Sequence, residues 1–123
     1  MMHSHQITMV SLEDLVPANH IYRKFSDLWT FTEVERRLRK VEKDNNYKGY
    51  GVLRLFKCLL LQFMEDLSNR ELERYLQENT TGKWFCGFGL TEPTPDYTGF
   101  TRIRKRIGPE KLAELFGVVA QFL

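Results

Sequence analysis

The sequence predicts an all-α protein. The expected form is a compact helical domain around one central apolar helix, with a helix-turn-helix-like element whose connection is extended. Three observations predict it. Apolar residues recur at helical intervals from Ile21 onward, and strand-like alternation is scarce. The stretch from Gly51 to Asp66 carries apolar residues at 52, 53, 55, 56, 59, 60, 61, 63 and 64, which cover most of a helix circumference. A helix that apolar must be wrapped by others. Finally, capping-box spacings and Pro/Gly punctuation divide the chain into helix-length pieces.

Each element follows from local chemistry. Residues 1–11 read as a flexible N-terminal tail, and residues 12–123 as one helical domain. In the tail, His3-Ser4-His5 offers two imidazoles, too few for a good metal site. Leu12 to Val16 forms a short apolar turn ended by Pro17. Asn19 suits the cap of a helix through Leu28, with Ile21, Phe25 and Leu28 on its inner face. Thr32 and Glu35 have capping-box spacing ahead of Val34, Leu38 and Val41, and the cluster from Asp44 to Gly49 ends that helix. The central helix comes next, and Leu59 and Phe63 are both expected in its core contacts. Ser68 and Glu71 repeat the capping box, opening a helix to about Gln77 with Leu72, Tyr75 and Leu76 inward. The segment Lys83 to Leu90 is aromatic and glycine-rich, one short helical turn packed on the core. A loop from Thr91 to Pro95 leads to a helix capped by Asp96 or Thr98 and stopped at Gly108-Pro109. Pro109 suits the first turn of a last helix carrying Leu112, Leu115, Phe116, Val119 and Phe122.

Composition narrows the function classes. With 123 residues, 42% hydrophobic and 28% charged, the chain reads as one ordinary globular domain. The longest apolar run, Val52 to Met64, is broken by Arg54, Lys57 and Gln62 and is too short and charged to span a bilayer. No basic leader or apolar signal segment opens the chain, so a cytoplasmic, nucleoid-associated location is expected. Cys58 and Cys86 are expected as free thiols, Cys58 acting as a small hydrophobe in the most apolar helix.

The charge is concentrated. The net charge is only +2, yet Thr98 to Lys111 holds five cations and one acid. On a helical wheel Ile103 and Ile107 fall within about 60° of Phe100. Thr101, Arg102, Lys105 and Arg106 take the opposite arc. Such a helix docks one face on a core and offers the other to a polyanion, double-stranded DNA being the natural partner. Thr98, Thr101, Arg102, Lys105 and Arg106 are therefore the expected DNA contacts. Arg102 and Lys105 would reach base edges, Arg106 a phosphate, and the two threonines would meet phosphate oxygens. Lys83 and the cluster of Arg36, Arg37, Arg39 and Lys40 are candidates for further phosphate contacts. Arg104 lies about 40° from Phe100 and is expected to flank the core, paired with an acid such as Asp96 or Asp66. The supporting helix would be the one from Ser68 to Gln77, joined to the basic helix by some twenty residues rather than the usual three or four. Catalysis has little support. The chain has no recognisable Ser-His-Asp set and no Cys-X-X-Cys pair, and Gly87-Phe88-Gly89 lacks the strand and further glycine of a phosphate cradle.

The order of motifs resembles the N-terminal domain of DDE-type insertion-sequence transposases, the InsH-like group. The elements are Leu15-Val16-Pro17 with His20 and Arg23-Lys24, then the Leu55 to Met64 helix, then Leu67-Ser68-Asn69-Arg70-Glu71-Leu72. Trp84-Phe85-Cys86-Gly87-Phe88, Pro95-Asp96 and Phe100-Thr101-Arg102-Ile103-Arg104 complete it. Position 99 departs, with Gly99 where the group usually has Ser or Thr, which is expected to loosen the start of the basic helix. The resemblance implies a helical DNA-binding domain that recognises terminal inverted repeats. It also implies a following ribonuclease-H-like domain whose carboxylates hold divalent metal. The chain ends about where that domain would begin, so no catalytic residue, no metal and no cofactor are expected here, and the chain reads as a truncated or excised domain without activity of its own. The competing expectations are a protein-interaction domain, with a homodimer through the last helix, and a free-standing helix-turn-helix regulator.

Overall fold

The computed structural model describes residues 12–26, 30–44 and 50–121. Among them it holds eight helices and no strand: α1 (Leu12–Leu15), α2 (Ile21–Ser26), α3 (Thr30–Asp44), α4 (Val52–Glu65), α5 (Asn69–Glu78), α6 (Thr80–Cys86), α7 (Tyr97–Ile107) and α8 (Pro109–Ala120). The expected tail with His3 and His5, Leu28, the turn residues 45–49 and Phe122 lie outside the described residues, as does the Phe25 side chain.

α4 is the central helix, as its sequence demands. It packs against α3, α5, α6 and α7. Val52, Leu55, Phe56, Cys58, Leu59, Leu60 and Leu61 are all buried along it. One expectation fails on this helix: Phe63 is 69% exposed. Apolar residues surround α4, but its neighbours leave one strip uncovered near its C-terminal end. Phe63 rests there on Phe116 of α8, ring centroids 5.3 Å apart. α4 ends on Asp66 in the left-handed conformation (φ 54°, ψ 58°), where the Asp66 and Leu67 N–H groups both return to the Gln62 carbonyl. No glycine marks that stop, yet it falls at Asp66, where the apolar pattern ends.

The caps show where spacing suffices and where it does not. At α5 the capping box is complete: Glu71 N–H donates to Ser68 Oγ at 3.1 Å and Ser68 N–H to Glu71 Oε1 at 2.8 Å. The Thr32–Glu35 spacing is not used, because α3 already starts at Thr30 and Thr32 lies inside it. Its inner stripe of Val34, Leu38 and Val41 is buried as the period requires. Asn19 does not cap α2; His20 Nδ1 accepts the Tyr22 N–H at 3.1 Å. Among the described side chains of α2, Tyr22 is the buried one, while Ile21 is 52% exposed. Tyr22 is buried because its ring meets Phe85 and its hydroxyl has a partner, donating to Glu65 Oε1 at 2.8 Å beside the Tyr75 hydroxyl.

The region around Trp84 forms a fuller helix than one turn. Asn79 Oδ1 accepts from Gly82 N–H at 2.7 Å, and Gly87, at φ 84°, closes α6. Gly82 lets α6 approach closely, since a Cβ there would stand 2.8 Å from the Tyr75 ring. Trp84 then meets the first helices. Arg23 lies over its ring at 4.7 Å, binds the Val16 and Pro17 carbonyls, and pairs with Glu13. Arg23, Val16, Pro17 and Trp84 thus form one clamp that fixes α1 and α2 on α6. Cys58 and Cys86 are buried free thiols, and burial followed by the Cys86 contact holds the Cys58 thiol well above its ordinary pKa. No described helix is long and apolar enough to cross a membrane.

Candidate nucleic-acid interface

α7 owes its position to three side chains. Phe100, Ile103 and Ile107 are buried, and they seat the helix on α4, α5 and α8. Burying each such side chain fully is worth about 1.5–3 kcal/mol. Its start is well defined despite Gly99. Asp96 Oδ1 accepts the Gly99 N–H at 3.0 Å and the Thr98 hydroxyl at 2.6 Å. Those two bonds, reinforced by Arg102 nearby, hold the Asp96 carboxyl below its ordinary pKa. The loosening expected from Gly99 is not seen, because the cap binds the backbone N–H and any side chain at 99 would project into ordinary contact space. Glu73 of α5 supplies a second acceptor, taking the Tyr97 N–H at 2.8 Å.

The far side of α7 is open. Thr101, Arg102, Lys105 and Arg106 are all exposed, on the arc opposite the buried stripe. The cations at 104, 105 and 106 fall in the last turn, where they also complement the negative end of the helix dipole. Arg70 of α5 lies against the start of α7, its guanidinium 4.2 Å from the centre of the Tyr97 ring. Sequence reasoning missed Arg70. Its partner is 27 positions away, and only the packing of α5 on α7 brings them together.

The two threonines are already engaged. Thr98 donates to Asp96, and Thr101 Oγ1 donates to the Tyr97 carbonyl at 3.3 Å while accepting from Asn69 Nδ2 at 3.2 Å. The Asn69 bond belongs to a chain of polar groups beneath the helix. Asn69 Oδ1 accepts from Gln62 Nε2 at 2.8 Å, and Gln62 Oε1 accepts from Arg104 Nη2. Arg104 therefore flanks the core as expected, but its partner is Gln62 rather than Asp96 or Asp66. Asp96 lies eight residues back, about 12 Å along the helix axis, and Asp66 one turn beyond Gln62 on α4. Gln62, the one buried polar side chain among the described residues, carries no sequence signal of this role.

The outlying cations are distributed differently. Lys83 sits on α6 and donates to the Leu90 carbonyl at 3.2 Å. Arg36 and Arg37 share Glu33, and their hydrogen bonds, Arg36 first, pull that carboxyl down to about 2. Arg37 also reaches Glu114 of α8 at 2.6 Å. Much of the charge of this pair is thereby compensated, whereas Arg39 and Lys40 project outward on the same helix. No group of three or more His, Cys, Asp or Glu among the described residues is placed to hold a metal ion.

The family model for the transposase domain DUF772 matches residues 10–106. The chain belongs to this transposase domain family. The match runs from residue 10 up to Arg106 in α7, so it includes the central helix and nearly all of the basic helix. No curated protein and no solved structure matches the chain. In this transposase domain Arg102, Lys105 and Arg106 are exposed on α7, on the side opposite its buried stripe.

Proposed function

We propose that this transposase domain is the DNA-binding module of an InsH-like, DDE-type insertion-sequence transposase and that it recognises element ends. The observation that carries the reading is the division of α7. One face is locked to the core by Phe100, Ile103 and Ile107, and the other presents Arg102, Lys105 and Arg106. α5 acts as the supporting helix and α7 as the recognition helix, joined by the extended connection 79–96 that includes α6. Arg102 and Lys105 reach base edges, since bidentate Arg–guanine contacts are the commonest specific ones. Arg106 and Arg70 take phosphates, and Arg39 and Lys40 are available to flanking backbone. Thr98 and Thr101 serve through α7's N-terminal geometry, their hydroxyl protons being spent within the fold. The metal-dependent strand-transfer chemistry belongs to carboxylates outside this module.

The reading is tested by titrating random duplex DNA at several salt concentrations. Four neutralised phosphates predict a log–log slope of roughly −3.6. A slope near zero would refute it.

A further inference from the structure

Beside the basic face lies an apolar cleft of about 480 Å³ between the end of α4 and the start of α8. Its walls are Phe63, Phe116, Leu112 and Pro109, and its rim carries Arg104 and Lys105 with no carboxylate. The aromatic rings are ordered from core to surface. Fully buried Phe56 meets Phe116 at 5.6 Å, and Phe116 stacks with Phe63 at 5.3 Å and 28° between planes. Phe63 is then left 69% exposed, with nothing over its outer side among the described residues.

We infer that this cleft binds one unpaired nucleotide of DNA, its base stacking on Phe63 and its phosphate held by the remaining donors of Arg104. A flat aromatic group that carries its own negative charge meets both features at once. The base extends the ladder Phe56–Phe116–Phe63 outward, and the phosphate meets a rim that is only cationic. Arg104 spends one donor on Gln62, and a guanidinium has five. At about 100° per residue Lys105 lies on α7 between Arg104 and Arg102, so a strand that meets Arg102 and Lys105 has its frayed or distorted end within reach of the cleft. Stacking of this kind tolerates any base.

This inference rests on the DNA-binding reading above. The test compares a blunt duplex with the same duplex carrying a short unpaired thymidine tail, by anisotropy, and places 2-aminopurine in the tail to report stacking. The tail should raise affinity about tenfold, within the range for one stacked base. Phe63→Ala should abolish the gain and the 2-aminopurine response while leaving blunt-duplex affinity unchanged, and Phe63→Trp should restore both. Equal affinity for both duplexes, unaffected by Phe63→Ala, overturns the cleft assignment and leaves the DNA reading standing. Loss of salt-dependent binding to both duplexes overturns the two together. A change in sedimentation of the free protein on Phe63→Ala, without an effect on the tail, assigns the cleft to a second copy of the chain instead.

Discussion

The bond between Arg104 and Gln62 ties the basic helix to the centre of the molecule, and its removal has a calculable effect. A hydrogen bond to a charged group contributes about 1.5–3 kcal/mol net, and a neutral one about 0.5–1.5 kcal/mol. Gln62 makes one of each, to Arg104 and to Asn69. Arg104 is only half-buried, so water replaces part of what it loses, which places its bond near the lower limit. Gln62→Ala should therefore cost about 2–3 kcal/mol, or roughly 6–15 °C in Tm at about 3–5 °C per kcal/mol for a domain of this size. Urea unfolding of Gln62→Leu, Arg104→Met and the double variant isolates the pair. Each single change strands a partner and the double change strands neither, so a coupling energy of about 1.5 kcal/mol is expected. A coupling within about 0.3 kcal/mol of zero would mean that Gln62 does not hold Arg104 and that α7 is seated by its apolar stripe alone.

Other perturbations separate burial from sequence pattern. Leu59→Ala should cost about 2–5 kcal/mol in urea unfolding, whereas Phe63→Ala, on the exposed strip of the same helix, should cost less than about 1 kcal/mol. Ser68→Ala removes half of the observed capping box and should destabilise by about 1 kcal/mol, measurable as a lower urea midpoint with an unchanged m-value. The Glu33 carboxyl titrates lower in the folded chain than its ordinary 4.5, at about 2. Its contribution is fully present above pH 4.5 and fades as pH falls toward 2, so Glu33→Gln should flatten the acid side of the stability profile in that window. An unchanged profile would show that the Arg36–Glu33–Arg37 cluster does not contribute to stability.

Much of the architecture was legible because it depends on local spacing. The all-round apolar character of 52–64 demanded a wrapped central helix, and Ser68 with Glu71 formed the capping box their separation implied. The Phe100–Ile103–Ile107 stripe fixed which side of α7 faces inward and hence which cations face out. What was not legible depends on partners distant in sequence. Phe63 belongs to the apolar pattern of α4, but whether it is buried is decided by how far α8 reaches over it. His20 rather than Asn19 caps α2, because the entry from Pro17 brings the imidazole to the Tyr22 N–H. The sequence pointed Arg104 to an acid, Asp96 or Asp66, but its partner is an amide, which has no charge to betray it. Nothing in the sequence marks the place of Arg70 against Tyr97, which only the packing of α5 on α7 creates. In the motif around Arg23 and Trp84, the residues joined by the fold act as a structural clamp, which their separation of 61 positions concealed.

We propose that DNA lies on the open face of α7. The measurement that tests it most directly is DNA affinity of the triple variant Arg102→Ala/Lys105→Ala/Arg106→Ala, by anisotropy at two salt concentrations, with helicity checked by circular dichroism. All three side chains are exposed, so the fold should persist. With DNA on this face, affinity should fall and the salt slope should shrink by about 0.9 for each phosphate no longer neutralised. Unchanged affinity and slope in a folded variant would contradict it and leave the basic face of α7 a solvated surface.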